Sequence, residues 1–371
     1  MGDAGWVAVV AGIAIALVAV DRWMARRPSG PRPRRPRSWG HGGGAGALGE
    51  VIGLYQPGAR FLQEEQQRQR HDLHLTGDAA PPWEIDLDGG TARIAAAPGA
   101  DARPGGVQRL EPVAPGVWVA TAERWTSTTT VVVAEDGQCL VVDPGITVAE
   151  VEALAAEIEA RGWRPVAGFS THPHWDHVLW SARLGDVPRW STAVAARVAA
   201  ASHPALARDA DAEAPGHDHR LTGQLTALPE ATGSSPGSRL PWDGPAAVAV
   251  PSSAHCAGSA VLVLPASGVL LAGDLLSDEE VPLLDLQAAD PVGDHLRTLD
   301  MVESLVAGHG IGTLVPGHGT LARGPEITRR VAADRRYLTA LATGDDVHDD
   351  RLGSAEVRGL HEEQRRALRA P

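Results

Sequence analysis

The segment Thr171-His172-Pro173-His174-Trp175-Asp176-His177 puts three imidazoles and a carboxylate into six consecutive positions. Imidazole nitrogens and carboxylate oxygens are the donors that zinc accepts, at roughly 2.0–2.2 Å. The apolar run Val166–Phe169 precedes the segment. A loop leaving a strand end can aim alternate side chains at one point, so this pattern predicts a metal site rather than a polar surface loop.

Three isolated residues share a second pattern. His255 in VPSSAHCAGS, Asp274 in GVLLAGDLLS and His318 in GTLVPGHG each follow an apolar, strand-like run. Each sits beside a glycine or small residue, where the backbone can bend a side chain inward. Asp143 ends a fourth such run, CLVVDPG. His309 in AGHGIG mimics the His318 context but follows a helical stretch, so His318 is the preferred candidate. His217 and His219 lie in a region rich in Pro, Gly and Asp and are expected to face solvent. Cys256 adjoins His255, but neighbouring side chains after a strand point apart, which predicts a buried inert thiol. Trp175 and Trp180 flank the motif as either pocket wall or core.

In their order along the chain, Asp143, the His172–His177 segment, His255, Asp274 and His318 resemble the pattern of the metallo-β-lactamase-fold hydrolase superfamily, over about Val107 to Gly344. The resemblance implies an α/β chain folded as a four-layer αβ/βα sandwich. It implies that His172, His174 and His255 hold a first metal and that Asp176, His177 and His318 hold a second. Asp274 would bridge the two, and Asp143 would orient a ligand without being one. The cofactors would be two zinc ions, with iron or manganese as alternatives. Two such ions about 3.5–4 Å apart share a water and lower its pKa toward neutrality, giving a metal-bridging hydroxide as nucleophile. Asp176 would then serve catalysis by orienting that nucleophile and passing a proton to the leaving group.

The implied reaction is hydrolysis of a small-molecule ester, thioester or lactone. A bridging Asp274 argues against antibiotic hydrolysis, because β-lactamases of this fold generally lack it. Tyrosine occurs only at positions 55 and 337, away from the motifs. Arg183 and Arg189 are the basic residues nearest in sequence for gripping a substrate carboxylate. The competing readings are an iron-dependent, dioxygenase-like oxidoreductase, a phosphodiesterase-type hydrolase, and a tethered binding protein without catalysis.

The elements that must carry these residues are legible as patterns. GVWVATAERWTSTTTVVVAEDGQCLVVDPG alternates and turns as three strands. TVAEVEALAAEIEARGW places apolar residues at 148, 151, 154, 155 and 158 on one helical face, with Thr147 as N-cap. The C-terminal third repeats strand, loop and helix, as an α/β layered domain does.

The 371 residues fit one large domain with extensions, and 43% hydrophobic with 21% charged residues suits an enzyme with a real core. There is no lysine. Seven arginines against two aspartates before Gly49 leave the remainder far more acidic than the overall −13. So acidic a body is a poor nucleic-acid binder. Cys139 and Cys256 do not form a disulfide framework.

Trp6–Val20 carries no charge and, with Ala4 and Gly5, just reaches bilayer-spanning length. Asp3 at the start and arginines after the run disfavour a signal peptide, and a Pro/Arg-rich tract disfavours a core helix. The prediction is an N-terminal hydrophobic helix over residues 1–27, a single-pass membrane anchor with the catalytic body on the cytoplasmic side. A Pro/Arg/Gly-rich linker over 28–46 would follow, then a small accessory module over 47–105 with a broken helix across Val51–Arg70 and a strand pair around Asp88-Gly89-Gly90. The catalytic domain would span 106–344 and a peripheral helical tail 345–371.

Overall fold

The computed structural model describes residues 83–86, 91–94, 109–229 and 237–369. The expected anchor, its linker and the helix across Val51–Arg70 lie outside the described residues. Among those described, no helix is long and apolar enough to cross a membrane.

The hairpin expected around Asp88-Gly89-Gly90 is present as a strand pair. β1 (Trp83–Asp86) runs antiparallel to β2 (Thr91–Ile94), with Trp83 opposite Ile94 and Asp86 opposite Thr91.

The main body holds two sheets. The first has seven strands in sequence order: β3 (Glu111–Ala114), β4 (Val117–Thr121), β5 (Thr128–Val133), β6 (Gln138–Val142), β7 (Arg164–Phe169), β8 (Arg189–Ser191) and β9 (Thr226–Ala227). The pairing is antiparallel through β6 and parallel from β6 to β9. The second has six: β10 (Ser238–Arg239), β11 (Val248–Pro251), β12 (Ala260–Leu264), β13 (Val269–Gly273), β14 (Thr313–Pro316) and β15 (Ala322–Arg323). Only β13 and β14 pair in parallel there.

Period-two alternation sorts the side chains into layers. Val117 and Val119 of β4, Leu140 and Val142 of β6, and Phe169 of β7 face Leu262 and Leu264 of β12 and Leu271 of β13 in the core between the sheets. The intervening residues face outward. Val131, Cys139 and Val141 pack on Val151, Leu154 and Ile158 of α1 (Val148–Ala160). On the other side, Val261, Val263 and Leu270 pack on three helices: Leu299 and Val302 of α3 (Pro291–His309), Val331 and Leu338 of α4 (Pro325–Thr343), and Val357 of α5 (Ala355–Arg369). The remaining helix, α2 (Ala193–Glu213), buries Ala199 and Leu206 against Trp175 and Leu179. Helix, sheet, sheet, helix is the expected four-layer order. Strands buried on both faces read as continuous apolar runs, which is why AVLVL and VLLAG stand out in the sequence. Thr147 caps α1 as predicted, in a reciprocal box with Glu150.

The C-terminal stretch is a correction. It was expected to be peripheral, but α5 buries Val357, Leu360, His361 and Gln364. Gln364 accepts from Leu284 N at 2.7 Å and donates to Pro282 O at 3.1 Å. Arg351, in the turn before α5, donates to Asp334 at 2.7 Å, Asp349 at 2.8 Å, Ser277 O at 3.0 Å and Glu280 O at 2.9 Å. The buried face is half polar, so apolar periodicity had no purchase on it.

Burial pushes the Asp334 carboxyl up to about 6, against the pull of the Arg351 guanidinium. Replacing Arg351 by Ala should strand that carboxylate and cost on the order of 3–5 kcal/mol in urea unfolding. A folded-state pKa raised above the unfolded value favours folding at low pH and loses that contribution as pH rises. The cost should therefore be smallest below about pH 5 and grow toward neutrality.

Candidate metal centre

Every candidate residue sits at a strand end on the same rim of the sandwich. Asp143 follows β6, His172–His177 follow β7, His255 follows β11, Asp274 follows β13 and His318 follows β14. The structure brings all eight together. His172, His174, His255 and Asp274 each offer a donor atom within 4.8 Å of one another, and Asp176, His177 and His318 form a second such group.

Asp274 ties the two groups. Its Oδ2 lies 3.4 Å from His172 Nε2 and 3.3 Å from His255 Nε2. Its Oδ1 lies 3.2 Å from His177 Nε2 and 3.6 Å from His318 Nε2. Asp176 Oδ2 stands 3.4 Å from both His177 Nε2 and His318 Nε2.

The far sides of the rings are held by protein. Asp143 accepts from Thr171 N at 2.9 Å and Thr171 Oγ1 at 2.7 Å, and its Oδ2 stands 3.1 Å from His177 Nδ1. Thr171 Oγ1 in turn lies 3.1 Å from His172 Nδ1. Asp143 thus contacts His177 directly and reaches His172 through one hydroxyl. His318 Nδ1 meets Ser127 Oγ at 3.0 Å and the Trp125 carbonyl at 3.2 Å. A carbonyl can only accept, so Nδ1 carries a proton and Nε2 is the ring atom turned toward the acids. Thr171 and Ser127 were not foreseen. Thr171 adjoins the motif, which is a usable signal, whereas Ser127 sits in an uninformative Thr/Ser run.

Backbone conformation is spent here too. Asp143 at φ 47° and His255 at φ 68° are non-glycine residues in the left-handed region. Such conformations persist where surrounding structure over-determines them.

Several buried atoms lack a hydrogen bond. His177 Nε2 and Asp274 Oδ1 have no hydrogen bond. His172 Nε2 and His255 Nε2 both approach His174 Nδ1 at 3.0 Å, crowding three ring nitrogens together. Burial, reinforced by His172, pushes His174 down to about 3, and burial holds His255 well below the usual histidine range. His177 and His318 go the other way. Burial opposes their charge, but Asp274 and Asp176 outweigh it, raising His177 well above the usual range and His318 to about 10. The cluster therefore calls for positive charge while two of its five imidazoles, His174 and His255, refuse protons. Divalent cations meet both demands, and five nitrogens among seven donors suit zinc better than magnesium or calcium.

The other candidates separate cleanly. Burial pushes the Cys256 thiol up to about 12, the inert thiol expected. His309 ends α3 away from the cluster and is exposed. His219 is half-buried and paired with Asp211. His217 is a correction: it is buried, with Nε2 2.7 Å from Ile146 O, because it closes the turn before α1. Trp175 and Trp180 are both core rather than pocket wall. Arg183 is committed to Glu159 and Glu152, and Arg189 to the Leu221 carbonyl, so neither is free to grip a substrate.

The family model of the metallo-beta-lactamase superfamily matches residues 124–341, which include every member of the cluster. A family of unknown function (DUF6191) matches residues 54–94. No curated protein matches the chain by sequence. Among solved structures, the DIM-1 metallo-beta-lactamase exposed to ceftazidime is 17% identical, with 61% of this chain and 95% of that one covered at a TM-score of 0.46. A metallo-beta-lactamase from Erythrobacter litoralis is 17% identical, covering 61% and 96% at 0.45. One from Pontibacter korlensis is 18% identical, covering 61% and 97% at 0.42. With its family model spanning more than half of the chain and enclosing the histidine and aspartate cluster, the protein belongs to the metallo-beta-lactamase superfamily, whose members are mostly metal-dependent hydrolases.

Proposed function

We propose that the chain is a dinuclear hydrolase acting on a small-molecule ester, thioester or lactone. The observation that supports this is Asp274, whose two oxygens face different sets of imidazole nitrogens. His172, His174 and His255 would hold one cation and Asp176, His177 and His318 the other, with Asp274 common to both. Bound there, two zinc ions, or manganese or iron in their place, supply Lewis acidity toward the scissile carbonyl and lower the pKa of a water toward neutrality.

The chain's own groups do the rest. Asp143 and Thr171 fix the rings of His177 and His172, and Ser127 with the Trp125 carbonyl fixes His318. Asp176 stays ionised: burial opposes its charge, but the neighbouring His177 and His318 hold its carboxyl well below the usual range. Its position 3.4 Å from both His177 Nε2 and His318 Nε2 is what would let it pass a proton to the leaving group. We also propose that residues 1–27 tether this body to a membrane with the site on the cytoplasmic side, on the strength of the uncharged run Trp6–Val20 and the arginines after it.

Metal analysis of the purified chain should find ~2 zinc per chain, and His174→Ala should lower that content. One iron per chain with oxygen consumption would replace this reading with the oxidoreductase. On a panel of thioesters, lactones, β-lactams and phosphodiesters, the metal-loaded protein should turn over carbonyl substrates, and Asp176→Asn should cut kcat by roughly 10²–10⁴. Gly317 offers a sharper structural check. A Cβ there would fall 2.2 Å from Asp274 Oδ1, so Gly317→Ala should lose metal while keeping its circular dichroism. Deleting residues 1–46 should release an active protein from the membrane fraction, and a full-length chain already free of membrane would remove the tether.

A further inference from the structure

Three of the five rings in the cluster have their outer nitrogen met by protein. His172 Nδ1 reaches Thr171 Oγ1, His177 Nδ1 stands beside Asp143, and His318 Nδ1 meets Ser127 and the Trp125 carbonyl. His174 turns Nδ1 inward, toward His172 Nε2 and His255 Nε2. His255 is the exception. Its Nε2 lies 3.3 Å from Asp274 Oδ2, but its buried Nδ1 has no hydrogen bond to any described residue. A histidine that ligates a metal through one nitrogen ordinarily donates its other N–H to a fixed acceptor.

A cavity of about 10 Å³ adjoins this ring. Ser252, Ser259, Thr171, His172, Asp274 and His255 itself help to line it, whereas Asp176, His177 and His318 take no part. Roughly one water fits such a volume, and a buried water needs about two to four polar partners.

The hydroxyl protons around the cavity are already committed. Thr298 of α3 donates from Oγ1 to Asp294 O at 3.0 Å, so in its 3.2 Å pair with Ser252 Oγ the serine is the donor. Ser259 Oγ donates to Cys256 O at 2.9 Å. A hydroxyl carries one proton and two acceptor sites, so toward the cavity Ser252 and Ser259 can only accept. Ser252 Oγ also accepts from Ala254 N at 3.1 Å, which leaves it one acceptor site.

We propose that this cavity binds one structural water, which accepts the Nδ1 proton of His255 and donates to Ser252 Oγ and Ser259 Oγ. The two serines are then positioning residues that act through the water. Because they only accept, the water turns a lone pair to the ring, so His255 keeps its proton on Nδ1 and offers Nε2 to the cation. Thr171 treats His172 in the same way without a water: its proton goes to Asp143 at 2.7 Å, and it accepts from Nδ1. This deepens the hydrolase reading and rests on its first metal site, not on its substrate.

A high-resolution crystal structure of the full-length, zinc-loaded protein should show one ordered water within hydrogen-bond reach of His255 Nδ1, Ser252 Oγ and Ser259 Oγ. In solution, nitrogen-resolved NMR should find a slowly exchanging proton on His255 Nδ1, identified by its loss in His255→Gln. In Ser259→Ala that proton should exchange faster, and the zinc Kd from chelator competition should rise roughly tenfold or more. Ser259→Thr keeps the hydroxyl and should keep both wild-type values. A wild-type structure without the water overturns the proposal, as does an exchange rate or zinc Kd that Ser259→Ala leaves unchanged. Equal losses in the Ala and Thr variants assign the effect to packing and overturn it too. The water in place, with zinc bound and no hydrolysis of any substrate, keeps the water site and removes the hydrolase reading instead.

Discussion

Buried negative charge is the constraint around which the rim is arranged. Asp143, Asp176 and Asp274 are brought to the same strand ends within a shell that is largely shut off from water. Unpaired carboxylates in such a setting carry a heavy solvation penalty, and a folded chain must answer it with positive charge. The answer here is divided. Asp143 is satisfied by protein donors, through Thr171 and His177. Asp274 and Asp176 face His177 and His318, which they raise well above the usual histidine range, while burial holds His174 and His255 below it. A cation between them would satisfy the carboxylates and the unprotonated rings together. The capacity to hold a metal is in this sense a consequence of where the sheets end.

That constraint explains features otherwise unrelated. The left-handed backbone at Asp143 and His255 turns side chains inward at points where the strand would carry them past the centre. Glycine at 273 and 317 leaves room: a Cβ at 273 would press on Thr171, and one at 317 on Asp274 and His177. Thr128 donates to Gly317 O at 2.8 Å, so the first sheet grips the loop that carries His318 in the second. The β6–β7 and β13–β14 pairs, each parallel, deliver Asp143 with the histidine loop and Asp274 with His318 to one edge. Parallel neighbours end at the same side of a sheet, so this arrangement is built into the topology.

Much of this was legible in the sequence because metal ligands are chemically conspicuous. His172, His174, His255, Asp274 and His318 could be picked out by residue type and by the apolar run before each, and the three-strand reading of 117–142 and the Thr147 cap followed from period and capping rules. What stayed hidden was chemistry carried by ordinary residues. Ser127 and Thr171 hydroxyls, a backbone carbonyl at Trp125 and the side chain of Gln364 matter only through tertiary neighbours, which no local pattern encodes. His217 was read as solvent-facing because Pro, Gly and Asp surround it, yet a single carbonyl at Ile146 is enough to bury it. The tail misled for the same reason: a helix that docks with His361 and Gln364 does not advertise an apolar stripe.

The tail also shows how precision is distributed. The family-model match ends at residue 341, yet the segment after Asp274 takes its hydrogen bonds from Arg351 and Gln364 beyond it. A ligand such as Asp274 can be placed by the strand before it, but its carboxylate must also resist rotation and drift, and that depends on the chain that follows. Arg351 is itself locked between Asp334 and Asp349, so the support is rigid rather than merely attractive. Two divisions of labour follow. The strand ends set which atoms meet, and the helical layer behind the second sheet sets how tightly the 275–284 segment is held against them. Changes in the tail would therefore alter the shape and charge of the rim before they altered the metal cluster. A fold whose centre is fixed and whose rim is separately anchored can keep one reaction while changing the molecules on which it acts.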